Sequence, residues 1–140
     1  MLFPKKVKYR KWQTQRKSAS RLARPDTRGT TVVFGSVALK AVSSARLTSN
    51  QIEAARKVLT RATAKTGKLW IRVFPDRPVT QKPAEVTMGV GKGDPKYYVF
   101  EVRPGRVLFE YDGVPEAVAR EHLRKAGMKL PMKTTIVTSR

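Results

Sequence analysis

Charge constrains this chain before any fold does. Thirty Lys and Arg stand against ten Asp and Glu, a formal net charge of +20 over 140 residues. An excess of this size repels itself whenever the chain is compact, so the cations require a polyanion. Nucleic acid is the commonest one, and phosphate contacts release its condensed counterions. An anionic membrane surface would want an amphipathic helix with bulky apolar residues opposite its Lys and Arg. No segment offers a strong one.

The apolar fraction of 40% suffices for a folded core, and a chain of this length buries roughly two-thirds of its unfolded surface. No apolar run approaches the ~18 residues of a spanning helix, so no membrane partner is expected. With no cysteine, disulfides, thiolate nucleophiles and Cys-based metal sites are excluded. The single histidine, His122, cannot build a His-rich metal site. No cofactor or metal is expected. The basic N-terminus is followed by no apolar stretch, which argues against a secretory signal, and an intracellular protein is the expectation.

Residues 1–28 hold ten basic residues against one acid, Asp26, with few apolar side chains. Such a segment cannot order itself by burial and reads as an arm that orders on its partner. Within it Lys8-Tyr9-Arg10-Lys11-Trp12 interleaves cations with rings. Cations hold phosphates, while rings stack on unpaired bases. The candidate contacts of the arm are Lys5, Lys6, Lys8, Tyr9, Arg10, Lys11, Trp12, Arg16 and Lys17.

Residues 29–140 read as one α+β domain. Strands are expected at 30–34 and 37–42, both rich in β-branched residues. Thr48-Ser49-Asn50-Gln51 fits a capping box, opening a helix that Gly67 closes. Ile52, Ala55, Leu59 and Ala62 share its apolar face. Arg56, Lys57, Arg61 and Lys65 are opposed there only by Glu53. Such one-signed charge differs from an ordinary solvated face and makes Arg56, Lys57 and Arg61 candidate contacts. A strand over 68–74 should turn Leu69, Ile71 and Val73 to one side. Residues 75–96, rich in Pro and Gly, read as a long irregular loop, a length uncommon unless functional. Strands at 97–103 and 106–111 are expected to pair through Pro104-Gly105. A second helix should run from Pro115 to about Ala126, and a last strand over 134–138. The fold class is therefore α+β, a small mixed or antiparallel sheet with two helices, an extended basic arm and a long loop.

The loop carries Met88-Gly89-Val90-Gly91-Lys92-Gly93. It is no P-loop, because Val86 stands where the first Gly belongs and Gly93 follows the Lys. Asp94 likewise breaks the dinucleotide fingerprint. Glycines do remove side-chain bulk, so backbone and Lys92 can press against a folded polyanion. Asp76, Glu85, Asp94, Glu101, Glu110 and Asp112 cluster in the middle of the chain. A carboxylate pair could serve acid–base chemistry or bind Mg²⁺, but nothing in the spacing favours it. Glu101 and Glu110 are expected to pair with nearby Arg103 and Arg106. His122 has no nameable nucleophile or orienting partner. A non-catalytic nucleic-acid binder is the expectation. A general binder that also takes duplex DNA and an RNA-processing enzyme are the rivals.

Several longer stretches go further. They are Pro4-Lys5-Lys6-Val7-Lys8-Tyr9-Arg10-Lys11, Phe34-Gly35-Ser36, Leu47 to Arg56, Trp70-Ile71-Arg72-Val73-Phe74-Pro75-Asp76-Arg77-Pro78, Lys82-Pro83-Ala84-Glu85, the glycine loop, Pro104 to Glu110, and Lys129 to Thr134. In this order the chain resembles the bacterial-type large-subunit ribosomal protein L-sixteen family over essentially its whole length. The resemblance implies an α+β protein, not a homo-oligomer, packed on large-subunit ribosomal RNA near the peptidyl-transferase centre and the aminoacyl-tRNA site. It implies neighbouring ribosomal proteins and tRNA as further partners, roles in late subunit assembly and tRNA positioning, and a place in the ribosome of the cytoplasm or an organelle. Carried onto this chain, the contacts it implies are Lys5, Lys6, Lys8, Arg10 and Lys11 in the arm, and Arg56 with its basic neighbours on the helix. In the loop they are Lys82, Met88, Gly89, Gly91, Lys92 and Gly93. Thr87 and Asn50 stand where relatives often carry Arg, which leaves those positions without that cation.

Overall fold

In the computed structural model, which describes residues 2–13, 19–63 and 65–139, the expected strands divide between two sheets. The elements are α1 (Ala19–Ala23), β1 (Val37–Ala41), β2 (Ala45–Thr48), α2 (Ser49–Thr63), β3 (Lys68–Ile71), β4 (Arg77–Gln81), β5 (Asp94–Val102), β6 (Val107–Asp112), α3 (Glu116–Gly127) and β7 (Thr134–Thr138). One sheet has the order β3-β6-β1-β7 and the other β2-β5-β4. Every pairing is antiparallel. The architecture is α+β, as expected.

The two long helices form where their caps and periodicity put them. The Thr48 amide donates to Gln51 Oε1 at 3.0 Å, and the Gln51 amide donates to Thr48 Oγ1 at 3.4 Å, which satisfies orphan donors of the first turn reciprocally. Ile52, Ala55 and Leu59 of α2 are buried, as are Ala119, Leu123 and Ala126 of α3. They share one core with Leu39, Phe109 and Tyr111 of the larger sheet. Full burial of the Ile, Leu and Phe side chains among them contributes about 1.5–3 kcal/mol each, and of each Ala about 0.8 kcal/mol. The Tyr111 hydroxyl donates to the Leu59 carbonyl at 3.2 Å, tying α2 to the sheet.

Residues 30–34 are not a strand. The amides of Val33, Phe34 and Gly35 donate instead to the Glu110 carboxylate at 3.1, 2.5 and 2.8 Å. Backbone donors must find a partner, and here a side chain takes the place of a neighbouring strand. Glu110 is fully buried and is also paired with Arg72, not with Arg106 as expected. Arg106 pairs with Asp26 at 3.5 Å. The segment lies close to the sheet, since a Cβ on Gly35 would come within 2.8 Å of the Tyr111 carbonyl oxygen. Phe34 then stacks on Trp70, ring centres 6.0 Å apart.

Other differences follow from pairing partners invisible in one sequence. The stretches 97–103 and 106–111 are not a hairpin. β5 pairs with β2 and β4, while β6 pairs with β1 and β3, so the turn at Gly105 (φ +94°) carries the chain from one sheet to the other. The strand expected over 68–74 ends at Ile71. β2 was not anticipated, and α1 is a short third helix inside the arm. β4 lies within the stretch expected to be an irregular loop. Its Pro78 lacks an amide donor, which suits an edge strand, and β4 is an edge.

Burial opposes ionisation of Glu110, yet the amides of Gly35, Val33 and Phe34 together with Arg72 outweigh it and hold its pKa below the usual carboxylate value. A depressed folded-state pKa stabilises above the unfolded value, and that contribution is lost as pH falls through the folded one. Glu110→Gln should therefore cost about 3 kcal/mol at neutral pH, as when one member of a buried pair is removed. It should also reduce the loss of stability on acidification below about pH 4. Urea unfolding of both proteins at neutral and acid pH checks this. Parallel pH dependence would contradict it.

Candidate nucleic-acid interface

β4 and β5 form a hairpin, with Gln81 opposite Asp94 at its root. The loop is thus 82–93, shorter than expected, and the glycine motif is its tip. Met88 is 98% exposed, and Gly89, Gly91 and Lys92 are exposed as well, while Lys82 and Gly93 are half-buried. Gly89 and Gly91 have φ of +102° and +85°, with nothing within 4 Å of the position a Cβ would take. They let the tip turn without presenting bulk. Gly93 differs: a Cβ there would meet the Gln81 backbone at 2.7 Å. It serves close packing at the hairpin root.

The arm crosses that root. Leu2 packs against the core, and Phe3 meets the Tyr98 ring edge-on at 5.2 Å. Arg10 donates to Asp94 at 3.0 Å, and Lys11 Nζ lies 3.8 Å from the same carboxylate. Lys11 also donates to the Lys92 carbonyl at 2.9 Å, and Lys92 donates back to the Trp12 carbonyl. Trp12 lies 5.9 Å from the guanidinium of Arg77, which is only 4% exposed and paired with Glu101. Lys5, Lys6, Lys8, Tyr9 and Arg10 are exposed; Lys11 and Trp12 are half-buried. Lys8 sits 5.5 Å from the Tyr9 ring centre. Arg16 and Lys17 lie outside the described residues. The arm and the loop, 80 residues apart in sequence, therefore form one continuous basic surface.

The helix contributes differently. Arg56 is paired with Glu53 through two donors, Nε to Oε2 at 2.9 Å and Nη2 to Oε1. The hydrogen bond from Arg56 is the main reason the Glu53 pKa is lowered. Lys57 and Arg61 are exposed, and among the described residues no recorded hydrogen bond or ion pair links either to the arm or the loop. Glu101 pairs with Arg46 and Arg77, not with Arg103 as expected, because Arg46 stands directly opposite it across β2 and β5. Arg77 and Asp94 were not singled out as parts of this surface. Arg77 hides behind Pro78 in a stretch that looks irregular, and Asp94 looks like one more scattered acid. Among the described residues, no group of three His, Cys, Asp or Glu is arranged to hold a metal ion.

The two kinds of glycine should respond differently to substitution. Gly93→Ala forces a Cβ onto backbone atoms of β4 and should destabilise the fold by about 1–3 kcal/mol. Gly91→Val puts a β-branched residue at φ +85°, a strain that the open tip can relax because nothing packs on it; it should lower the thermal midpoint less than Gly93→Ala does, yet impair function. Thermal melts paired with an in vitro translation assay separate the cases. Wild-type translation by ribosomes carrying Gly91→Val would contradict the close-approach reading of the tip.

The arm and the hairpin with its bare tip thus meet in one basic aromatic surface, and α2 exposes Lys57 and Arg61 besides. One comparison fits this arrangement over nearly all of the chain: residues 4–137 match the family model of ribosomal protein L16p/L10e. The chain belongs to that family and is a structural constituent of the large ribosomal subunit.

Proposed function

We propose that this protein binds large-subunit ribosomal RNA near the peptidyl-transferase centre and the aminoacyl-tRNA site, through the surface built from the arm and the hairpin tip. The observation that carries the reading is the meeting of two remote basic segments at Asp94, with their remaining cations outward. Lys5, Lys6, Lys8, Arg10 and Lys92 hold phosphates; Tyr9 and Trp12 offer rings to unpaired bases; Lys57 and Arg61 extend the contact along the helix. Arg56 contributes less, since Glu53 already neutralises it, and Arg10 shares its charge with the exposed Asp94. The arm, held beyond Phe3 largely by polar contacts, orders fully against the RNA. The chemistry of peptide transfer belongs to RNA, and the protein acts by positioning and stiffening it, which serves late assembly and the seating of tRNA.

Phosphate contacts should dominate affinity. With roughly eight of them, log affinity should fall with log salt at a slope of about −6 to −7, and replacing Lys5, Lys6 and Lys8 together by Ala should reduce the slope by about two to three. Filter binding to ribosomal RNA fragments across a salt series measures both. A salt-insensitive interaction would overturn the reading, and equal competition by duplex DNA would favour a general nucleic-acid binder.

A further inference from the structure

A cavity of about 640 Å³ opens between the start of the arm, the first residues of α2 and the beginning of β5. Its size falls within the roughly 300–1,000 Å³ of small-ligand sites. Leu2 and Phe3 form one wall, Tyr97 and Tyr98 another, and residues 48–50 the floor, with Lys96 also lining the cavity. No carboxylate lines it. Phe3 and Tyr97 are 64% and 45% exposed, so large parts of both rings await a partner. At the floor, the capping box of Thr48 and Gln51 already closes the start of α2, and the Lys96 ammonium donates to the neutral Gln81 Oε1 at 2.7 Å, with no carboxylate partner among the described residues. Apolar aromatic walls and a cation whose charge is unmatched suit a flat ring joined to an anion.

We propose that this cavity receives one unstacked nucleotide of the RNA partner. Its base lies against Phe3, Tyr97 and Tyr98, and its phosphate lies toward Lys96. The inference rests on the RNA-binding reading above and adds a site outside the arm's cations and the hairpin tip. Stacking on aromatic rings suits any base, and the rings here come from two parts of the chain, Phe3 from the arm and Tyr97 and Tyr98 from β5. An apolar side chain of a protein neighbour would fill the walls but leave the charge of Lys96, whose hydrogen-bond partner is the neutral Gln81, unmatched. Because the arm supplies Phe3, the site is complete only when the start of the arm is seated, which couples arm docking to capture of the nucleotide.

The test uses the full-length protein and a short single-stranded RNA of mixed sequence. Ultraviolet crosslinking followed by peptide mapping should place adducts on Phe3, Tyr97 or Tyr98. Phe3→Ala and Tyr97→Ala should each weaken binding about five- to tenfold with the salt slope unchanged, since no phosphate contact is removed. Tyr97→Phe should retain affinity. All three side chains lie outside the buried core, and matching thermal melts verify the fold. Adducts confined to the arm and the hairpin tip, with full affinity in Tyr97→Ala, would overturn the site while leaving the RNA-binding reading intact. Absence of RNA binding by the wild-type protein would overturn both. Loss of a neighbouring ribosomal protein from particles reconstituted with Tyr97→Ala, with RNA affinity unchanged, would reassign the cavity to a protein contact and overturn the proposal.

Discussion

The pairing of acids with cations inside the chain governs how the surplus charge is distributed. Asp26, Glu53, Asp94, Glu101, Glu110, Glu116 and Glu121 each hold an Arg or Lys of the same chain. Seven of the ten acids are thus already neutralised, and none of them offsets the exposed cations elsewhere. The exposed pairs among them, those of Asp94, Glu116 and Glu121, contribute only about 0–1 kcal/mol each, whereas the buried pair of Glu110 with Arg72 carries stability as well. They leave Lys5, Lys6, Lys8, Lys57, Arg61 and Lys92 turned outward on surfaces where like charge dominates.

Two of the seven shape the fold. Glu110 is buried, and its carboxylate gathers three backbone amides and Arg72. It thereby clamps the segment that follows the arm onto the larger sheet. Asp94 is exposed and weakly held, yet it stands at the hairpin root where Arg10 and Lys11 converge. One acid anchors the segment where the arm ends; the other guides the arm's course across the smaller sheet. Between them the core of α2, α3 and the larger sheet supplies a rigid base from which the glycine tip projects.

The parts legible in the sequence were those set by local rules. The capping box at Thr48 and Gln51, the apolar faces of α2 and α3, and the turning of Leu69, Ile71 and Val73 toward the core depend on near neighbours and are found where expected, although β3 itself ends at Ile71. Non-local choices were not legible. Nothing near Val33 reveals that its amide is satisfied by Glu110, and Pro104-Gly105 looks the same whether it closes a hairpin or carries the chain between sheets. β4 was hidden by its own proline. Charge and glycine content drew attention to the arm and the tip separately, but their contact through Asp94, Lys92 and Trp12 is a property of the fold. The aromatic cavity was invisible for the same reason, because its walls come from three distant stretches.

Accessibility of individual lysines tests the central claim most directly. Purified protein and intact large subunits can be treated with an amine-acylating reagent and the modified residues mapped by mass spectrometry. If phosphates match the surplus cations, Lys5, Lys6 and Lys8, open in the free protein, and Lys92, exposed there with its ammonium on the Trp12 carbonyl, become protected in the subunit. Equal labelling of those four lysines in both states would contradict the account.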